Sequence, residues 1–342
     1  MKVVKSRAPF RIGLAGGGTD VSPYSERYGG NVLNTTISLF AKTTIIPGED
    51  KITFENAETG DVRTFEISKQ LPLEKDIILQ IGAYNHFIRE YQIESFGFKM
   101  INEMDVQTGS GLGTSSTILV SIIAAFNELL ELKLSQQEIA EKAVVIERKE
   151  LHMAGGKQDQ YAASFGGTNF LSFTTKGEVL IEPIELSTAC KNELEFNLIL
   201  FYNEQRRDSA IIIETQMQNV ESNNEDSILA THEIKKEALD LLEQLKSNSL
   251  SAIGDILNRS WENKKKMAHG ITNQTIDLIY NTAMSAGAKG GKISGAGGGG
   301  FILFYVDSTK KNQVIQALQT FNGKIIPFKL VDEGVQSWVV EE

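Results

Sequence analysis

Two carboxylates, Glu147 and Asp159, and two glycine-rich loops, at 109–116 (GSGLGTSS) and 287–300 (GAKGGKISGAGGGG), are the parts of this chain best suited to chemistry. Glycine lets backbone N–H groups converge on an anion with no side chain in the way, and a helix following the first loop adds its positive N-terminal end. Two such loops imply a bound polyphosphate, and an ATP-dependent small-molecule kinase uses both. Glu147 falls on the same helical stripe as Ala140, Ala143, Val144 and Leu151, so an acid points at the core. Burial of an unpartnered carboxylate costs several kcal/mol, so Glu147 must face a metal, a cation or strong donors. Magnesium is one answer and a structural pair with lysine or arginine is the other. Gly155 and Gly156 are expected to end that helix and turn the chain back, carrying Asp159 toward the same cavity. One acid would then hold the metal of the nucleotide while the other takes the proton of an attacking hydroxyl. Lys157 supplies positive charge for a phosphoryl group, or is a solvated loop lysine.

Several alternatives fail on spacing. Neither Gly156-Lys157 nor Gly291-Lys292 completes the G-x-x-x-x-G-K-[ST] pattern of a Walker loop. Gly295, Gly297 and Gly300 match G-x-G-x-x-G, but only 42 residues follow, with no acid between Ser308 and Val331 to hold a ribose, so a dinucleotide-binding domain is excluded. A flexible linker is at odds with the strand-like residues flanking the tract. His86, His152, His232 and His269 show no metal-ligand spacing.

The elements that must position these groups read as two lobes of an α+β protein. Strands are expected at 1–15 and 42–54, helices at 116–130 and 135–151, and strands at 169–173 and 179–184. The second helix opens on a capping box, Ser135 with Glu138. A buried strand at 195–202 then leads into helices at 209–219, 231–246, 251–268 and 273–286, and a strand at 301–306 closes the glycine tract. The boundary is expected near 188, giving domains 1–188 and 189–342, each with one phosphate-binding loop. With 342 residues there is room for both lobes and a full core. A net charge of −10 argues against nucleic acid as partner, and the longest uncharged apolar run, 117–126, is too short to span a bilayer. The single Cys190 and the lack of a leader point to the cytoplasm.

Three segments in order resemble the motifs of the GHMP kinases: 8–20, with Ala8-Pro9-Phe10-Arg11 and Gly16-Gly17-Gly18-Thr19-Asp20; 109–116; and 292–300. The resemblance covers nearly the whole chain. It implies an N-terminal lobe of mixed sheet and helices, similar to a ribosomal-protein fold, a C-terminal ferredoxin-like lobe, and ATP and sugar in the cleft between them. Within the family, AGGGTD together with GGKQDQYAASFGG at 155–167 is similar to the sugar 1-kinases acting on D-glycero-D-manno-heptose 7-phosphate. Gly17 and Gly18 replace the acid and histidine that grip galactose in galactokinases. The sequence departs from the pattern at Gln107, where proline is usual, and at Asn203-Glu204, where a TG turn is common.

By that resemblance Asp159 is the base and Arg11 its electrostatic partner. Ser115 and Glu147 hold Mg2+, and the backbone of Gly109, Ser110, Gly111, Leu112, Gly113, Thr114, Ser115 and Ser116 cradles the ATP phosphates. The sugar phosphate is expected against Arg11, Gly17, Gly18, Thr19, Asp20, Gly156, Lys157, Asp159, Arg207, Gly295, Gly297 and Gly298, with Lys157 and Arg207 on its phosphate. A fucose or hexose kinase and a non-catalytic ATP or sugar sensor are the other readings. A homodimer stays open.

Overall fold

A computed structural model describes residues 2–204 and 209–341. The first lobe runs through β1 (Lys2–Ala15), α1 (Tyr24–Tyr28), β2 (Gly30–Pro47), β3 (Ile52–Asn56), β4 (Val62–Phe65), α2 (Ile78–Glu90) and β5 (Phe98–Met104). It continues with α3 (Thr114–Leu129), α4 (Gln136–Val144), a π-helical turn (Val145–Glu150), α5 (Gln158–Phe165), β6 (Thr168–Phe173) and β7 (Val179–Pro183). The second lobe holds α6 (Thr188–Asn197), β8 (Leu198–Tyr202), α7 (Ser209–Glu221), α8 (Glu225–Lys246), α9 (Ile253–Met267) and α10 (Gln274–Ser285). After these come β9 (Ala288–Ile293), β10 (Phe301–Val306), α11 (Lys311–Leu318), β11 (Lys324–Ile325) and β12 (Gln336–Glu341).

The large sheet has the order β12-β1-β2-β5-β3-β4, with β6 and β7 added beside β2. The 18-residue β2 serves two partners on one side, β6 through residues 30–35 and β5 through residues 41–47. On one face of this sheet lies α3, whose residues 116–126 are all buried except for no more than a grazing exposure of Ile118. An apolar helix of this kind, hydrophobic around its whole circumference, belongs in a core.

The smaller sheet has the order β11-β8-β10-β9. A strand, helices, two strands, a helix and a strand along the chain, in that spatial order, make the ferredoxin-like arrangement that the resemblance implies. Period-two alternation divides its side chains between two cores. Leu198, Leu200, Tyr202, Phe301, Leu303 and Tyr305 join the core of the first lobe. Ile199, Phe201, Ile302, Phe304 and Val306 face the other way, into a core with Trp261 and Ile276. The lobes therefore share a hydrophobic wall, which fixes the cleft above it.

The capping box of α4 forms as expected: Glu138 N–H donates to Ser135 Oγ at 3.3 Å and Ser135 N–H to Glu138 Oε2 at 2.8 Å. Four expectations need correction. The strand expected at 42–54 is two, because Pro47-Gly48 breaks it, and β2 begins at Gly30. The helix expected to 151 stays α-helical only to Val144 and then widens into the π turn. The strand expected from 195 starts at Leu198, because Ser187 caps a helix reaching Asn197 and accepts from Cys190 N–H at 3.2 Å. The division at 188 puts the chain terminus in the second lobe, whereas β12 pairs with β1 of the first from Lys2↔Glu341 to Arg7↔Gln336.

Deleting residues 336–341 uncovers the β1 edge and leaves its ladder unpaired. The truncated chain is expected to melt several degrees lower by differential scanning fluorimetry and to scatter more light on heating.

Candidate active site

Between the lobes lies a cleft of about 320 Å³, lined among others by Arg11, Asp20, Ser115, Asp159, Lys264 and Lys292. Arg11 sits on β1 beside a break in its register with β2, between Pro9 and Arg11. Bulges of this kind re-aim side chains. Both Nε and Nη2 of Arg11 contact Asp159 Oδ1, at 2.6 and 2.5 Å. Nη1 donates to Gly111 O at 2.9 Å and to Ser294 Oγ at 3.3 Å, so the guanidinium ties one acid to both glycine loops. Asp159 stands in the first turn of α5, where the helix dipole favours an anion. It also abuts the phosphate loop. Gly113 has φ +76°, and a Cβ there would lie 2.6 Å from Asp159 Cγ, so no other residue fits.

Glu147 is fully buried, as its stripe implied, and the π turn carries it. Such turns re-register a helix at functional positions. Its carboxylate takes three strong donors: Ser115 Oγ at 2.8 Å, Ser116 Oγ at 2.7 Å and Gln160 Nε2 at 2.6 Å. The Arg148 guanidinium is 3.4 Å away and otherwise braces the carbonyls of Met153, Ala154 and Gly156. Ser115 faces the cleft and Glu147 lies directly behind it. This oxygen-only pair suits a small hard cation that keeps most of its ligands as water and phosphate.

Asp20 is also buried, and four donors converge on it: the backbone N–H groups of Lys157 (2.9 Å), Gln158 (3.0 Å) and Gly18 (3.3 Å), and Gln158 Nε2 (3.0 Å). The AGGGTD turn is thereby clamped to the start of α5. Thr19 donates to Gly16 O and orders the turn from within. Gly17, Gly18 and Gly156 line the cleft. The side chain of Lys157, expected on a phosphate, is not among the lining residues and reaches Glu26 Oε1 at 3.3 Å. Arg207 lies outside the described residues.

The second glycine loop differs in use from the sequence reading. Gly295 lines the cleft, but Gly297 and Gly298 lie behind it, with Gly298 N–H bound to Ile271 O at 2.8 Å. A Cβ on Gly295 would meet Gly111 O at 2.6 Å. Phe301 N–H donates to Ser110 O at 3.0 Å. The tract is glycine-rich because two backbones touch there. In the first loop, Gly109, Gly111, Gly113, Thr114 and Ser115 line the cleft at the start of α3, while Leu112 is buried in the core, Ser110 is buried and Ser116 turns to Glu147.

Comparison with known proteins matches the model of the GHMP kinases N terminal domain over residues 77–167 and that of the GHMP kinases C terminal over 241–324. The D-glycero-alpha-D-manno-heptose 7-phosphate kinase of Campylobacter jejuni is 38% identical over 99% of both chains. The chain belongs to the GHMP kinases. A solved D-glycero-D-manno-heptose 1-phosphate kinase from Bacteroides thetaiotaomicron superposes with a TM-score of 0.84 at 37% identity, covering 99% of this chain and all of that one. The L-fucokinase/L-fucose-1-P guanylyltransferase of Bacteroides fragilis is 27% identical over 98% of this chain and 38% of its own length.

Two groups of this GHMP kinase escaped the sequence reading. Lys264 on α9 and Lys292 on β9 are almost fully buried at the cleft. Burial pushes the Lys264 ammonium down to about 8, with Arg11 adding to the shift and Asp20 opposing it. Burial pushes Lys292 down to about 7, with Lys264 and Arg11 adding and Glu237 opposing. A signal existed for Lys264, which shares the buried stripe Leu257, Trp261, Lys264 of α9.

Two outcomes follow from these contacts. Ser116→Ala removes a donor from a buried carboxylate and is expected to cost about 1.5–3 kcal/mol in urea unfolding. A lysine with a lowered folded pKa loses its proton in the folded chain before the unfolded one, so between about pH 7 and 10 the unfolded chain binds more protons. Ligand-free stability should therefore rise with pH, read as a higher melting temperature at pH 9 than at pH 7.

Proposed function

We propose that this kinase transfers the γ-phosphoryl of ATP to the anomeric (C1) hydroxyl of D-glycero-D-manno-heptose 7-phosphate, for nucleotide-heptose biosynthesis. The observation that carries the reading is the Arg11–Asp159 pair, which opens on the same cleft as the N-terminus of α3 and Ser115. The names of the two heptose kinases described above put the phosphate on different carbons, and the chemistry of the site favours C1 as acceptor. An anomeric hydroxyl is more acidic than an ordinary alcohol, and the carboxylate available to take its proton is held by a guanidinium.

In this mechanism Asp159 accepts the hydroxyl proton as the acceptor oxygen bonds to phosphorus and the bond to the ADP oxygen breaks. Arg11 keeps Asp159 oriented and sets a fixed positive charge beside the reacting oxygens. First-turn N–H groups of α3 have no partner within the helix and point their dipole at the phosphates. Asp20 is assigned to sugar hydroxyls, with Gly17, Gly18 and Gly156 leaving room for the ring. The nucleoside is assigned to a second cavity of about 210 Å³, lined by Asn56, Lys75 and Leu79, which shares Thr108, Thr114, Ser115 and Met153 with the cleft.

Ser115 and Glu147 would hold Mg2+, which when bound neutralises phosphate charge. Until then the hydroxyls of Ser115 and Ser116 keep the Glu147 carboxylate satisfied. Among the described residues no helix is long and apolar enough to cross a membrane, and the reactants are small, charged and water-soluble. We assign the enzyme to the cytoplasm.

Asp159→Asn should bind ATP as the wild type does and turn over at least about 100-fold more slowly in a coupled ADP-release assay. Wild-type turnover by this variant removes Asp159 as the base. Phosphorus NMR of the product should show a new anomeric phosphate beside the original ester, and a new ester at any other carbon rejects the C1 assignment.

A further inference from the structure

We propose that Lys264 and Lys292 are the phosphate grip of the second lobe, two cations kept without protein partners so that a phosphate dianion entering the cleft completes them. The argument starts from what each lysine lacks. Among the described residues neither ammonium makes a hydrogen bond or an ion pair within 4 Å, although both side chains are about 96% buried. Other buried cations of the site are fully engaged, Arg11 with Asp159, Gly111 and Ser294, and Arg148 with three carbonyls. Burying a lysine with no partner is unfavourable, so two together mark a place arranged for something that arrives.

Local structure aims both at one spot. On α9, Lys264 continues the buried stripe of Leu257 and Trp261, and a methyl group on Gly17 would sit 3.8 Å from its Nζ, which places the ammonium beside the AGGGTD turn. On β9, Lys292 shares a strand face with Gly290, which lies against Gly254 of α9, and with Ser294, which accepts from Arg11. Both lysines line the cleft with Arg11 and Arg148, and of these four cations only the lysines lack a partner among the described residues.

Among the described residues no nearby acid pairs with either ammonium: Asp159 is held by Arg11, Asp20 by four N–H donors, and Glu237 of α8 accepts from Asn263 at 2.8 Å through Oε1 while its buried Oε2 makes no hydrogen bond. Burial raises the Glu237 carboxyl, weakening it further as a counter-ion. The lowered ammonium values of the two lysines agree with this arrangement. A dianion between them would restore their protons, so binding draws protons from solution above neutral pH.

A phosphate dianion has two sources under the kinase reading on which this inference rests, the γ-phosphate of ATP and the phosphate carried by the sugar. Lys264→Met, Lys292→Met and the neutral polar Lys264→Gln and Lys292→Gln are to be titrated by calorimetry with four ligands. These are MgADP, the Mg2+ complex of a non-hydrolysable ATP analogue, the free heptose and heptose 7-phosphate. The expected result is at least a tenfold loss of affinity for one phosphate-bearing member of a pair, with its partner lacking that phosphate unchanged. The affected pair names the source. Wild-type binding at pH 8, compared in buffers of different ionisation heat, should take up protons, and the Lys292 variants should take up fewer. Ligand-free melting temperatures of the methionine variants should equal or exceed that of the wild type.

Unchanged affinity for all four ligands overturns the proposal. So does a lowered melting temperature in both the methionine and the glutamine variants, since it makes the lysines structural. If the wild type ignores both heptoses, the substrate reading fails while the nucleotide pair still tests the lysines.

Discussion

A contact between two backbones governs this molecule. Gly111 of the first lobe and Gly295 of the second meet with no space for a side chain on either, and Phe301 N–H binds Ser110 O beside them. The contact sets the width of the cleft, and Arg11 bolts it by reaching Gly111 O, Ser294 Oγ and Asp159 from one guanidinium. Catalytic geometry tolerates little displacement, and an anchor of glycine against glycine leaves no side-chain rotamer to relax. Beneath it, the alternating faces of β8 and β10 belong to two cores at once. The relation between the lobes is thus fixed at the rim by hydrogen bonds and at the base by packing.

Charge in the cleft is arranged by burial as much as by proximity. Asp20 is held by neutral donors, and Glu147 by three neutral donors with the Arg148 guanidinium 3.4 Å away. Neutral donors keep a carboxylate satisfied in a dry place without cancelling its negative charge, the condition under which it can still attract a cation or a hydroxyl. The lysines are the counterpart: desolvated, unpaired among the described residues and facing the same space.

Much of this was legible in the residues. The inward acid at 147 follows from a period of 3.6, whereas its meeting with Ser115 was reachable through the family resemblance. The order β11-β8-β10-β9 was reachable only through resemblance, since strand order is a non-local property. Lys264 was hidden inside the run Lys264-Lys265-Lys266, which reads as a solvated face, although it keeps the phase of Leu257 and Trp261. Lys157 shows the converse: a lysine beside two glycines and an acid looks functional, and only the fold shows that Glu26 is its neighbour. The glycine tract was read as an anion cradle, whereas much of its composition answers to contact with another loop.

The pairing of β12 with β1 joins residues more than three hundred positions apart. A chain emerging from the ribosome exposes the outer edge of β1 and cannot cover it until residues 336–341 have followed. Over that interval β1 is a surface that chaperones can recognise and neighbouring nascent chains can capture.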